Sequence, residues 1–403
     1  MSAFKKLSDM YNSPVELRSA LYNMGVLASP VRDGECLAVY YCSKKQRHSP
    51  LCDNKVITEC NGLVYNYKEK KILVIPQPAF TSNIAADDIN VVNQHLLNGL
   101  YDILQVNEGT TVNLYWLETE SSWRISTARA YDLTDKKRGS MTYKEMLNDI
   151  LGDSAEKFYK LLNTKHCYTF GFKHENSHPF REGHSKQINK LWFIQSVDLN
   201  THEVNYEFKN DIEINPQPIA DVAPQAIKEL FPLLSNGLDD FIYTGKVNYG
   251  YILRSKDPNK TGAQSNILLE SSLLQKIRQL CYHSSLGMVA REMGYDESKY
   301  ILIVSYLDPN RQILSRKLFP QYIGSFKKLD EITNTLADII SSYNTRGCDS
   351  QSSPDKLHTY AANVYRRFHS QYTTQLNKKN MTNLIKTYLL TTEWADVYYN
   401  LYT

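Results

Sequence analysis

The sequence predicts an α+β protein, with a first domain of mixed and antiparallel strands and a mainly helical second domain. Three observations carry this. Short β-rich runs such as Lys71–Ile75 and Thr111–Leu117 recur up to about residue 268. Beyond it, helix-length apolar periodicity dominates, as in Leu329–Tyr343 and Leu357–Tyr372. The length of 403 residues suits two domains, expected at 1–268 and 269–403.

In chain order, residues 1–30 read as one or two helices, with Pro14 at a helix start. Leu37–Cys42, Gly62–Tyr67 and Lys71–Ile75 read as strands, and Pro76 and Pro78 end the third. Ala85–Leu100 has helical spacing. Thr111–Leu117 alternates Val112, Leu114 and Trp116 with polar residues and forms a hairpin with Trp123–Thr127. Helices are expected over Tyr143–Leu151, Ala155–Leu162 and Ala223–Leu234. Strands are expected at Tyr168–Lys173, Leu191–Val197, Glu203–Phe208, Phe241–Tyr243 and Tyr249–Leu253. In the second domain, Leu269–Tyr282 and Met381–Tyr402 add two further helices, Tyr300–Tyr306 reads as a strand, and Ser341–Ser353 as an exposed loop.

Lys and Arg total 46 against 43 Asp and Glu, a net charge of +3, which excludes a histone-like binder driven by bulk basic charge. No stretch reaches the roughly 18 apolar residues of a membrane span, and no signal-peptide pattern opens the sequence. Seven irregularly spaced cysteines without a Cys-x-x-Cys fit reduced thiols, so the expected location is a cytoplasm. The 29 tyrosines, against 13 Phe and 4 Trp, suit macromolecular contacts as well as cores.

His174-Glu-Asn-Ser-His178 is a literal His-Glu-x-x-His, with His184 at the spacing of a third zinc ligand. That chemistry needs a helix, which puts both histidines on one face beside Glu175. The approach Tyr168–Phe172 alternates like a strand, and Pro179 disfavours helix at His178. The expectation is no metal site, and a zinc hydrolase is the weaker alternative.

Several stretches together resemble the nucleotidyltransferase domain of bacteriophage-type ATP-dependent RNA ligases and their relatives in large DNA viruses. They are Thr58-Glu-Cys-Asn-Gly-Leu-Val-Tyr65, Lys70–Phe80, Tyr101-Asp-Ile-Leu-Gln-Val-Asn-Glu-Gly-Thr110 and Trp123-Arg-Ile-Ser-Thr127, then Tyr168–Asn176, Leu191–Val197 and Asn248–Arg254. The resemblance implies an RNA ligase-like fold in which a lysine amine attacks the α-phosphate of ATP. It also implies carboxylates for ribose and metal, and a lysine pair offsetting phosphate charge. This sequence departs from that pattern throughout. Val106 stands at the nucleophile position, with Glu108 and Gly109 at the following turn. Asn61 replaces an arginine, Gly171 and Tyr249 replace glutamates, and Ile267 and Leu269 fall where the lysine pair is expected.

The expected function is therefore a catalytically inactive RNA-ligase-like protein of a large DNA virus, structural, scaffolding or nucleic-acid-binding. Its partners would be viral proteins, RNA or DNA, in host cytoplasm or virion, and no cofactor is expected. The alternative is an active ligase with a rearranged site, using ATP and magnesium, with Lys246 as the rescue amine. Candidate contacts are Trp123, Arg124 and Arg129 near the hairpin, and Tyr365, Arg366, Arg367 and Tyr372 on one predicted helix. Core packing for the tryptophan and a solvated edge for the charged residues are the competing assignments.

Overall fold

Two short helices open the chain, α1 (Ala3–Ser8) and α2 (Pro14–Asn23). Pro14 takes the first turn of α2, where a missing N–H costs nothing, and the Ser13 hydroxyl accepts from the Glu16 amide at 3.1 Å. An antiparallel sheet follows, β1 (Val26–Val31), β2 (Cys36–Tyr41), β3 (Asn61–Asn66) and β4 (Lys71–Val74), in that spatial order, with helix α3 (Lys55–Glu59) between β2 and β3. The computed structural model describes residues 2–32, 34–41, 55–78, 80, 86–107, 109–138, 140–174, 189–208, 212, 214–218, 220, 227–244, 246–257, 266–281, 293–295, 297–307, 312, 316–317, 323–346, 356–372, 381–390 and 394–402. The chain divides into two units, the first reaching Leu274 and the second starting at Gln275.

The rest of the first unit builds two further main sheets. Helix α4 (Ala86–Leu97) leads to β5 (Tyr101–Gln105), then the hairpin β6 (Thr110–Leu117) and β7 (Ser122–Ser126). The two-residue strands β8 (Lys137–Arg138) and β9 (Met141–Thr142) precede helices α5 (Tyr143–Leu151) and α6 (Ala155–Leu161). Next come β10 (His166–Lys173), β11 (Lys190–Asp198) and β12 (Val204–Asn205), helices α7 (Ile227–Ser235) and α8 (Gly237–Thr244), strands β13 (Gly250–Ser255) and β14 (Ile267–Glu270), and the start of helix α9 (Ser272–Cys281), which belongs to the second unit from Gln275 on. The five-stranded sheet runs β12-β11-β10-β6-β7 and the three-stranded one β14-β13-β5.

Alternation gives the five-stranded sheet two faces. Val112, Leu114, Phe170, Phe172 and Phe193 pack on Tyr143, Met146 and Phe158 of α5 and α6. The other face meets the first sheet through Tyr115, Leu117 and Cys167 against Cys36, Val64, Leu73 and Val74. The three-stranded sheet buries Tyr101, Ile103, Tyr251, Leu253, Ile267 and Leu269 under Val92 and Leu96 of α4 and Leu230 and Leu234 of α7. A backbone strap joins the last two sheets. Gln217 N–H donates to the Phe193 carbonyl at 2.9 Å, the Gln217 side chain donates to the Gln105 carbonyl at 3.3 Å, and Gln105 N–H donates to the Pro218 carbonyl at 2.9 Å.

Cys36, Cys60 and Cys167 are free thiols inside these cores. Burial pushes Cys36 up to about 11 and Cys167 up to about 12, and raises Cys60 well above an ordinary thiol. The thiolate is the reactive form, so these three should stay unalkylated by iodoacetamide at pH 8 in the native protein and react after denaturation. Peptide mapping reads the result, and fast native labelling of Cys167 would contradict the packing.

In the second unit, α10 (Glu297–Leu307), α11 (Ile323–Arg346), α12 (Lys356–Tyr372), α13 (Met381–Leu389) and α14 (Ala395–Tyr402) pack around the long α11. Its tyrosines are largely internal. Tyr306 donates to Asp330 at 2.9 Å, Thr333 Oγ1 lies 2.7 Å from the Tyr398 hydroxyl, and Arg316 grips both Asp330 oxygens at 2.9 Å. Tyr295 stacks on Tyr399 at 4.0 Å.

Several expectations need correction. Val26–Val31 is a strand, not helix; its edge position tolerates Pro30. Phe241–Tyr243 lies in α8, whose first turn holds Asp239 and Asp240, favourable at a helix start. Tyr300–Tyr306 is helical: Tyr300, Leu302, Ile303, Val304, Tyr306 and Leu307 are all buried, and an element apolar all round has no period to read. The expected strand Glu203–Phe208 is only Val204–Asn205, and Met381–Tyr402 is two helices. Helix α11 continues through residues 341–346 of the expected loop, and 347–353 lie outside the described residues. A boundary at residue 268 would cut β14, which pairs with β13 in the first unit.

Candidate functional site

Strands β5, β13 and β14 bring several expected positions together. Register pairs Leu104 with Ile252, and Ile252 with Leu268. Just beyond β5, the Val106 amide donates to the Gly250 carbonyl at 3.0 Å, and Val106 is buried. Residues two apart share a face, so Asp102, Leu104, Ile252, Arg254, Leu268 and Glu270 lie opposite the helix-packed side. Arg254 there is engaged, donating to Asp102 at 2.9 Å with its guanidinium 4.0 Å from the Tyr206 ring centroid.

This register corrects one expectation. Ile267 and Leu269 face the core under α4 and α7, not the face that carries Leu104 and Ile252. A one-residue shift moves every side chain to the other face, and the opposite side of β14 carries Leu268 and Glu270. Neither supplies a cation. Tyr249 is buried, and its carbonyl accepts from the Ser271 amide at 3.1 Å.

A second cluster forms around Gly171 in β10. Gly171 pairs with Trp192 of β11, and the indole covers it. A Cβ at position 171 would fall 2.0 Å from the indole Cε2 and 2.4 Å from Nε1. A Cβ on Gly109 would fall 2.5 Å from the Cη2 of the same ring and 2.7 Å from the Phe172 carbonyl oxygen. Trp192 is itself only 7% exposed. Beside it, buried polar groups are satisfied internally: Thr169 donates to Asn113 Oδ1 at 3.0 Å and Asn113 donates to Ser126 Oγ at 3.4 Å. Lys173, two residues beyond Gly171 on the same face, is 2% exposed. Neither Trp192 nor Lys173 stands out as a site residue in the sequence; their in-register pairing with Gly171 and Lys190 is the available signal. Asn61 donates to the Gln77 carbonyl at 3.2 Å.

No protein-family model matches the chain. Curated relatives do. A protein of a South African tick isolate of African swine fever virus, named "Putative RNA-ligase", is 26% identical over 347 residues, covering 78% of this chain and 72% of the relative. Its counterpart in a Malawian tick isolate is 24% identical over 321 residues, covering 72% and 69%. The chain is RNA-ligase-like. Among solved structures, two forms of an archaeal ATP-dependent RNA ligase are similar at 12% identity, with TM-scores of 0.40 and 0.42, each covering 96% of this chain and 99% of the other.

The outer residues of this RNA-ligase-like chain are mostly occupied. Arg124 is enclosed by acids: it pairs with Glu120, lies 3.1 Å from Asp135 and 3.6 Å from Asp132. That enclosure removes it as a ready phosphate contact. Trp123 packs edge-on against Trp116 at 5.6 Å and Tyr168 at 6.0 Å, beside the α5–α6 core. Arg129 and Lys246 are exposed. In α12, Arg366 and Arg367 are exposed, Arg367 lies 5.4 Å from the Trp394 ring centroid, and Tyr365 is half-buried beside Tyr343 and His369. Tyr372 ends this helix. Its side chain, and Glu108, Glu175, His178 and His184, lie outside the described residues. His174 follows strand β10, is buried, and its Nε2 lies 3.1 Å from Asp149. Among the described residues no group of three His, Cys, Asp or Glu side chains could hold a metal, and no helix is long and apolar enough to cross a membrane.

Proposed function

We propose that this is a catalytically inactive RNA-ligase-like protein that serves a large DNA virus by binding nucleic acid, with a scaffolding role towards viral proteins. One observation carries the reading. The strand face that holds Leu104, beside Val106 at the nucleophile position, continues as Ile252, Leu268 and Glu270. Covalent adenylyl transfer needs a nucleophilic amine and free cations against the phosphate; this face carries no lysine, and its one arginine, Arg254, is engaged by Asp102. A phosphate chain placed there would have to compete with Asp102 for Arg254 and would meet the like charge of Glu270.

The test is incubation of the full chain with α-labelled ATP and magnesium, then denaturing electrophoresis. The expected result is no labelled band where an active ATP-dependent RNA ligase gives one. A band would overturn the reading. The second reading, an active enzyme with a rearranged site, draws on the buried Lys173 amine beside Gly171. In that case the band disappears in Lys173→Ala or, for the exposed alternative, in Lys246→Ala. Nucleic-acid binding is read separately, as affinity for single-stranded RNA that falls steeply with salt.

A further inference from the structure

We propose that a cavity at the end of β6 farthest from Gly109 is a docking pocket for a linear segment of a partner protein. The segment carries one large apolar side chain between an acidic and a basic residue. The proposal rests on the scaffolding part of the function above, to which it gives a surface, and does not use the strand face beside Val106.

The cavity has a volume of about 290 Å³ and lies wholly in the first unit. Several chain segments meet around it: the β1–β2 and β3–β4 connections, the end of β6, the residues entering β10 and those leaving β11. Strand β6 starts beside Gly109, and its last residue, Leu117, lines the cavity. The length of that strand, about 23 Å, separates the two places. The inner lining is apolar. Leu73 and Leu117 are buried, and Leu199 packs beside them on the core between the first sheet and the five-stranded one. Trp116 is half-buried at the cavity and held edge-on against Trp123, with ring centroids 5.6 Å apart. A fixed aromatic ring over an apolar floor suits an anchoring side chain, and such anchors carry most of the energy of a protein contact. The volume lies below the roughly 300–1,000 Å³ of a drug-sized ligand site, so one large side chain fits it better than a cofactor does.

The charges at the rim select the partner. Lys68 pairs with Glu35 at 3.1 Å and Lys71 with Glu118 at 2.9 Å. Both pairs stand in solvent, where such bonds are worth little and exchange readily. The Lys165 ammonium and the Glu69 carboxylate are exposed, and neither has a hydrogen-bond or ion-pair partner among the described residues. One unpaired charge of each sign beside an apolar pocket matches a peptide, with an acidic residue for Lys165, a basic one for Glu69 and the anchor between them. A nucleic-acid strand matches it poorly, because Glu35, Glu69 and Glu118 would meet its phosphates as like charges.

The experiment selects random linear peptides displayed on phage against the full chain, then measures synthetic copies of the enriched sequences by fluorescence polarisation. The enriched peptides should share a large apolar residue flanked by an acid on one side and a base on the other. Their affinity should fall by about three- to tenfold in Lys165→Glu and in Glu69→Lys, both exposed positions whose exchange leaves the fold intact. The doubly reversed chain, with Lys165→Glu and Glu69→Lys, should bind peptides in which the acid and the base are interchanged. The proposal is overturned if no shared sequence is enriched, if binding ignores both substitutions, or if the doubly reversed chain does not take the interchanged peptides. It is also overturned if Lys165→Glu weakens binding of single-stranded RNA and leaves peptide affinity unchanged, which would make Lys165 a phosphate contact. None of these results bears on the adenylyl labelling experiment. Loss of the pocket leaves the inactive reading in place, and a labelled band leaves the pocket in place.

Discussion

Gly250→Ala is expected to lower the melting temperature of the first unit by about 8–16 °C, or to abolish soluble folding. Gly250 has φ near +123°, a region that side chains other than glycine rarely enter. A Cβ there would fall 2.1 Å from the Leu269 carbonyl oxygen, a backbone atom that cannot rotate aside. Strain and overlap together cost about 4 kcal/mol. The damage would reach the end of β5, because the Gly250 carbonyl accepts the Val106 amide. Thermal denaturation followed by circular dichroism checks it, and a wild-type transition would show that β13 and β14 are not paired as described.

Gly171→Ala should destabilise by about 3 kcal/mol, through overlap of the new methyl with the indole. Trp192→Ala alone should cost about 3–5 kcal/mol as a large buried ring is lost. Together the two should cost at least about 1 kcal/mol less than their sum, because the methyl enters space the ring has vacated. Urea denaturation of the four proteins supplies the cycle. Additive losses would mean the ring does not rest on Gly171.

Much of the fold is readable in the order of residues. The β6–β7 hairpin is legible because Val112, Leu114 and Trp116 fall on one face of β6, although both faces of the strand are packed. Helix α2 is marked by Pro14. The failures share a cause. Tyr300–Tyr306 is enriched in β-branched and aromatic residues, and only neighbouring helices make it a helix. Val26–Val31 has weak strand character and forms because β2 lies beside it. In the candidate site, a valine at the position expected to hold the amine can be read directly, since one residue type decides it. The face of β14 cannot, because one residue of register moves a side chain to the opposite side of the sheet. The sequence alone therefore puts Ile267 and Leu269 in the cleft, whereas Leu268 and Glu270 lie on that face. Trp192 is hidden because its importance lies in two glycines distant in sequence.

The strap at Gln217 has a mechanical consequence. An enzyme that takes in a nucleotide and releases it each turnover must let the walls of its cleft part and close. Here the Gln217 N–H bond to Phe193 ties the strap to β11, and the Gln217 side chain and Gln105 N–H tie it to β5. The bonds to β11 and to β5 are in series, so release at the β11 end breaks two, Gln217 N–H to the Phe193 carbonyl and Phe193 N–H to the Asn215 carbonyl, at about 1 kcal/mol each. On the proposed non-catalytic reading, the first unit would hold a shape between encounters rather than cycle through one.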